Sequence, residues 1–200
     1  MLARESARIA GWQRANNEAP PHMKHPFAYA LFLIPVALSV SIPAMAADLT
    51  ARMHQATQEG TAEDLGTITV ASSAAGATMK LALHGLSPGP HGFHVHQNGD
   101  CSPTVVNNVH VPAGAAGGHM DPDHSGKHEG PSGQGHLGDL PVLEAQPDGT
   151  ATQTLTAPRI KDIDALKGHA LVIHTGADNY ADTPAPLGGG GGRFGCGVVE

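Results

Sequence analysis

The chain has 200 residues, with 11 Lys and Arg against 18 Asp and Glu, 14 His, 26 Gly and two Cys. Between residues 47 and 200 seven basic side chains face sixteen acidic ones. That balance excludes a nucleic-acid partner, whose backbone demands a basic footprint, and it means that any site handling an anion must be locally positive.

Residues 1–22 match neither a targeting signal nor a domain. They read as a disordered leader or a mis-assigned start, with Met23 the true first residue. From Met23 the order is Met-Lys-His-Pro, an apolar run over 27–42, then Ala44-Met45-Ala46. That is the n-region, h-region and small-x-small cleavage site of a secretory signal peptide, 23–46. The apolar run is short for a membrane span and lacks a stop-transfer flank. The expected product is one exported domain, 47–200, with no membrane association after cleavage. No cysteine stands at the cleavage site to carry a lipid.

Short β-type runs then recur between turn signals, with almost no helical periodicity. They cover 49–57, 65–71 and 77–84, the last alternating Met79, Leu81 and Leu83 with Lys80, Ala82 and His84. Ser87-Pro88-Gly89-Pro90 turns the chain into a strand over 91–97. A stretch rich in Gly, Pro, His and Asn follows over 98–135, long enough to suggest function. Further strands are expected at 137–144, 150–156, 169–174 and 193–199, with a helical turn at 163–166 and a Gly/Pro loop at 176–192. Eight strands, one long loop and one medium loop predict an all-β fold. It is read as an eight-stranded antiparallel Greek-key sandwich or barrel with a long metal-binding loop. A cupin-type jelly roll is the alternative. Cys101 and Cys196, an even count in an exported chain, suggest a disulfide, with two buried thiols as the other reading.

The chemistry lies in the histidines. His94 and His96 are two apart on a strand, so both rings share one face while Phe93 and Val95 face the core. His119, His128, His136 and Asp139 fall within 21 residues of loop and strand start and make a tetrahedral zinc set of three nitrogens and one oxygen. Asp139 could instead serve a turn. His174, ending the apolar run Ala170-Leu171-Val172-Ile173, gains weight as a ligand only from the rest of the set. His54, His84, His91, His110, His124 and His169 take no metal role. His91 and His169, at strand starts, are read as structural.

The pieces GFHVHQNGDC, GGHMDP, KHEGP, GHLGDLP, LVIHTGADNY and GGGGGRFGCGVV, in this order over 47–200, resemble copper/zinc superoxide dismutase in its exported bacterial, periplasmic form. The resemblance implies one copper and one zinc per subunit, with the superoxide anion as substrate. It assigns copper to His94, His96, His119 and His174, and zinc to His119, His128, His136 and Asp139, so His119 bridges the two as an imidazolate. It makes Asp178 the carboxylate linking His94 and His128, and Arg193 the residue that holds the anion beside copper. It pairs Cys101 with Cys196 near that arginine. The implied reaction is disproportionation of superoxide to dioxygen and hydrogen peroxide, with Arg193 and His119 as catalytic residues and a homodimer admitted. Lys127, Lys161 and Lys167 are candidate steering charges. A metal-storage or delivery protein without turnover, and a sandwich merely stabilised by metals, are the rival readings.

Overall fold

The computed structural model describes residues 47–200. The expected leader, 1–22, and the expected signal peptide, 23–46, lie outside the described residues. Within them the strands are β1 (Leu49–Ala56), β2 (Thr61–Ser73), β3 (Gly76–Leu83), β4 (Gly89–His91), β5 (Phe93–His96), β6 (Thr104–Val106), β7 (Val109–Val111), β8 (Leu143–Ala145), β9 (Thr154–Ala157), β10 (Ala170–His174) and β11 (Arg193–Val198). Seven of them form one curled antiparallel sheet in the order β5-β10-β11-β1-β2-β3-β9, while β4 pairs with β8 and β6 with β7. The chain therefore leaves β3, crosses the molecule and returns at the opposite edge on β5, as the predicted Greek-key connection requires.

Alternation builds the core. β1 buries Leu49, Ala51 and Met53 and exposes Thr50 and Arg52, and β3 buries Met79, Leu81 and Leu83 and exposes Lys80 and Ala82. Phe93, Val95, Leu140, Leu143, Leu171 and Ile173 close the interior, each fully buried. Burying a side chain of this size contributes roughly 1.5–3 kcal/mol. Strands β5 and β10 are buried on both faces, because the long loop covers the side away from the core.

Most predicted runs are recovered; the run 150–156 shortens to β9 at Thr154–Ala157, with Ala151 held only by a bridge to Leu83, and three further refinements stand out. Residues 91–97 split at Gly92, so that His91 pairs with Leu143 of β8 while Phe93 pairs with Ile173 of β10. Residues 137–142 are not strand; Pro141 has no amide to offer a ladder, and β8 begins at Leu143. The stretch 98–135 is not featureless. It holds the β6–β7 hairpin, turned at Asn107 and Asn108 with φ of 51° and 61°, and a 3-10 turn at Gly114–Ala116. Positive φ at both central positions is the type I′ geometry that asparagine tolerates.

Two devices fix the long loop to the sheet. Cys101 and Cys196 form a disulfide with Cα atoms 5.8 Å apart. Beneath it Ala113, Ala116, Ala170, Val172 and Cys196 make a small second apolar cluster. Further along, the loop is laid against β5 as a short ladder. Met120 N donates to Val95 O at 2.8 Å, Val95 N to Gly138 O at 2.9 Å, and Gln97 N to Gly118 O at 2.9 Å. This register sets His119 opposite His96 and Asp139 opposite His94. Gly138 is required there, since a Cβ would overlap the Val95 carbonyl.

Candidate metal centre

The seven residues singled out as ligands meet at one buried place. His94, His96, His119 and His174 bring one nitrogen each within 4.8 Å of one another, and so do His119, His128, His136 and Asp139 with their own ligand atoms. His119 belongs to both groups. Its Nδ1 lies 3.0 Å from Asp139 Oδ1, which leaves Nε2 for the four-histidine group. All seven residues are buried.

Each ring is turned by an oxygen on its outer side. His94 Nε2 donates to Asp178 Oδ2 at 2.7 Å, His96 Nδ1 to the Gly117 carbonyl at 2.9 Å, and His174 Nδ1 to the Gly191 carbonyl at 3.2 Å. His128 Nε2 donates to Asp178 Oδ1 at 2.8 Å. A proton on the outer nitrogen forces the lone pair onto the inner one. The inner nitrogens of the first three rings, His94 Nδ1, His96 Nε2 and His174 Nε2, are buried without a hydrogen-bond partner, while His128 Nδ1 lies 3.0 Å from Asp139 Oδ1. A buried polar atom left unpaired costs about 1–3 kcal/mol, and three converging on one point call for a cation, while the Asp139 carboxylate amid three imidazoles offers a second such place. Four imidazoles suit copper, and three imidazoles with one carboxylate suit zinc, so the residues fit both metals.

Asp178 spans the two groups, joining His94 of one to His128 of the other, and Tyr180 N donates to it at 2.7 Å. Gly188, at φ 73°, passes so close that any side chain would collide with Asp178 and His128. Behind the rings, His91 Nδ1 lies 2.6 Å from the His174 carbonyl and His169 Nδ1 donates to the His96 carbonyl at 3.0 Å, the structural roles expected for these two. Arg159 holds the His136 carbonyl at 3.0 Å. His84, His110 and His124 are exposed and His54 is half-buried.

Burial tunes the rings for metal. It pushes His96 down to about 2, His174 to about 3 and His119 to about 4, so all three are neutral donors at neutral pH. At His128 burial acts in the same direction, but the carboxylates of Asp139 and Asp178 outweigh it and lift the ring to about 9. Burial alone would raise Asp139 and Asp178. Contact with the histidines instead holds both well below the usual carboxylate range. A cation at the Asp139 group must therefore displace a proton from His128.

A cavity of about 260 Å³ opens onto the four-histidine group, lined by His96, Gly118, His119, His174, Pro186, Leu187, Gly190, Gly191 and Arg193. Arg193 is half-buried and donates to the carbonyls of Ala113 and Gly117. Gly117 O thus accepts from both Arg193 and His96. None of Lys127, Lys161 or Lys167 lines the cavity; Lys167 pairs with Asp164 at 2.7 Å and Lys161 reaches the Ala75 carbonyl. The sequence offered no signal for the orienting carbonyls of Gly117 and Gly191, because backbone oxygens carry no residue-type signature.

Residues 65–199 match the family model for copper/zinc superoxide dismutase (SODC). Superoxide dismutase (Cu-Zn) 2 of Salmonella typhimurium is 48% identical over 170 residues, 85% of this chain and 98% of the relative. The Cu/Zn superoxide dismutase structure from Brucella abortus superposes with a TM-score of 0.76 at 45% identity, covering 77% of this chain and 100% of that one. The solution structure of the monomeric copper, zinc superoxide dismutase from Salmonella enterica gives 0.70 at 49%, again 77% and 100%. With ligand geometry, fold and sequence in agreement, the chain belongs to the copper/zinc superoxide dismutase family and is a bacterial superoxide dismutase that uses copper and zinc.

Proposed function

We propose that superoxide disproportionation is carried here by a divided site. In it His94, His96, His119 and His174 hold copper, His119, His128, His136 and Asp139 hold zinc, and Arg193 receives the anion. The observation that carries this division is the set of three inward, unpartnered nitrogens of His94, His96 and His174, each with its opposite nitrogen already fixed, beside a separate cluster of His119, His128 and His136 around Asp139. Copper supplies the one-electron exchange when bound, and zinc the fixed charge that keeps His119 oriented.

The chain's own residues supply the rest. Arg193 presents a permanently charged fork of donors in a cavity that, among the described residues, has no other Lys or Arg in its lining. It draws superoxide to the wall formed by His96, His119 and His174. Two superoxide anions and two protons give one dioxygen and one hydrogen peroxide. His119 Nε2, facing the cavity side of the pair, is placed to carry one of those protons to the departing peroxide. Asp178 keeps His94 and His128 aimed while this happens.

Superoxide turnover by the metal-loaded domain tests the assignment. Absence of turnover at one copper and one zinc per chain favours the storage reading and overturns ours. A narrower test concerns the arginine. Arg193→Ala should slow the reaction at low ionic strength and flatten its dependence on salt, since a charged group that guides an anion is screened over about 10 Å at 0.1 M salt. A salt slope equal to that of the parent enzyme removes the steering role.

We further infer that 23–46 directs export and that 47–200 works in the periplasm. The Cys101–Cys196 disulfide supports this, because such bonds persist in oxidising compartments. Protein recovered from that compartment should begin at Ala47; recovery with residues 23–46 intact, in the cytosol, would count against export.

A further inference from the structure

The loop 176–192 touches the zinc group through Asp178, and it does so a second time, through a side chain that no ligand motif includes. Asp182 Oδ2 accepts from the His128 backbone amide at 3.0 Å, and its Oδ1 accepts from the Leu187 amide at 3.2 Å. Both amides hold its carboxyl below the usual carboxylate range. His128 is a zinc-group residue, while Leu187 and its neighbour Pro186 form one wall of the cavity. Leu187 sits at φ 54°, a conformation that few β-carbon residues hold without help. Nearby, Tyr180 OH accepts from Val142 N at 2.8 Å and Asn179 Nδ2 donates to the Thr183 carbonyl at 2.9 Å. These contacts fix the turn on which Asp182 stands.

We propose that Asp182 is a positioning residue that couples the zinc loop to the mouth of the copper cavity, by fastening the His128 backbone and the Pro186–Leu187 wall to a single carboxylate. Order imposed on His128 by its metal is passed to Leu187 through two bonds that share one rigid group. Slackening at Asp182 then loosens both ends together: His128 loses one restraint beyond its ring, and the wall that narrows access to Arg193 loses its anchor. Residues that orient metal ligands from outside typically influence metal affinity by about 10–100-fold. Asp182 is exposed, so the lower end of that range is the expectation.

This inference rests on the metal assignment above, and the test separates the two. Parent protein that binds one copper and one zinc upholds the assignment whatever the variants do. Asp182→Ala removes both acceptors. Asp182→Asn keeps one and turns an amide donor toward a backbone N–H. Two quantities are read in each: the rate at which zinc is lost to a chelator, and the azide affinity of the copper site from its visible spectrum. Asp182→Ala should lose zinc about tenfold faster and both variants should bind azide with an altered affinity, while the melting temperature of the metal-free protein stays that of the parent. Asp182→Asn should lie between parent and Asp182→Ala. Faster zinc loss with unchanged azide affinity overturns the coupling, as does an equal loss of stability in metal-free and metal-loaded protein with zinc affinity intact.

Discussion

His119→Ala should abolish superoxide turnover, lower the metal content of the purified chain, and destabilise the metal-loaded protein more than the metal-free one. The ring is the one donor common to both groups, lying 3.0 Å from Asp139 on one side and stacked on His94 with centroids 3.9 Å apart on the other. Its removal takes a ligand from each metal and the proposed proton carrier from the cavity. Loss of a positioned proton-transfer group alone costs about 10²–10⁴ in rate, and the missing ligand adds to that. The free energy of binding a structural metal is also free energy of folding. The metal-loaded variant should therefore melt well below the metal-loaded parent. In the metal-free state removal of the ring forfeits its contact with Asp139 and its stacking on His94, a cost of about 1–3 kcal/mol that the metal-loaded protein bears in addition to the lost metal binding. His124→Ala, at an exposed histidine between two ligands in sequence, should match the parent in every measurement. A His119→Ala enzyme retaining one copper, one zinc and the parent's rate would falsify the bridging role.

The parts of this site that the sequence discloses are those where residue type and local geometry coincide. His94 and His96 are readable because strand alternation alone places them on one face, and the structure keeps them there with Phe93 and Val95 in the core. Asn107-Asn108 was an available signal for the β6–β7 hairpin, since adjacent asparagines accept positive φ. What stays hidden is long-range register. Nothing local indicates that residues 118–120 and 138–140 flank β5, or that Asp139 then stands opposite His94. That arrangement depends on the backbone contact allowed by Gly138 and on the covering of β5 from outside. Asp182 is invisible for a related reason. Its partners are main-chain amides 54 and 5 residues away, and amides leave no pattern in a sequence.

The same dependence on long-range contacts makes the disulfide the second large effect. Cys101→Ser with Cys196→Ser should destabilise the metal-free domain by about 4 to 5 kcal/mol, an upper figure from the entropy of closing a loop of 95 residues. Chemical denaturation of the parent and the double variant, both metal-free, measures this. The consequence reaches the cavity. Cys196 lies on β11, the strand that begins with Arg193, while Cys101 opens the segment whose carbonyls at Ala113 and Gly117 receive the guanidinium. Within that segment Ser102 O accepts from Ala115 N at 3.0 Å, and just before it Asn98 Nδ2 donates to the Ala115 carbonyl at 2.9 Å. Without the bridge, the apolar contacts of Ala113 and Ala116 with Ala170 and Val172 remain, but they are small and bury little area. The carbonyl cradle should then move relative to β11, and Gly117 O should release His96 along with Arg193. The double variant, reloaded with metal, should lose rate mainly at low ionic strength, as Arg193→Ala does. Adding Arg193→Ala to it should cost less than the two changes made separately, because groups acting through one contact are not additive. Full additivity would show that the disulfide stabilises the loop without placing the arginine.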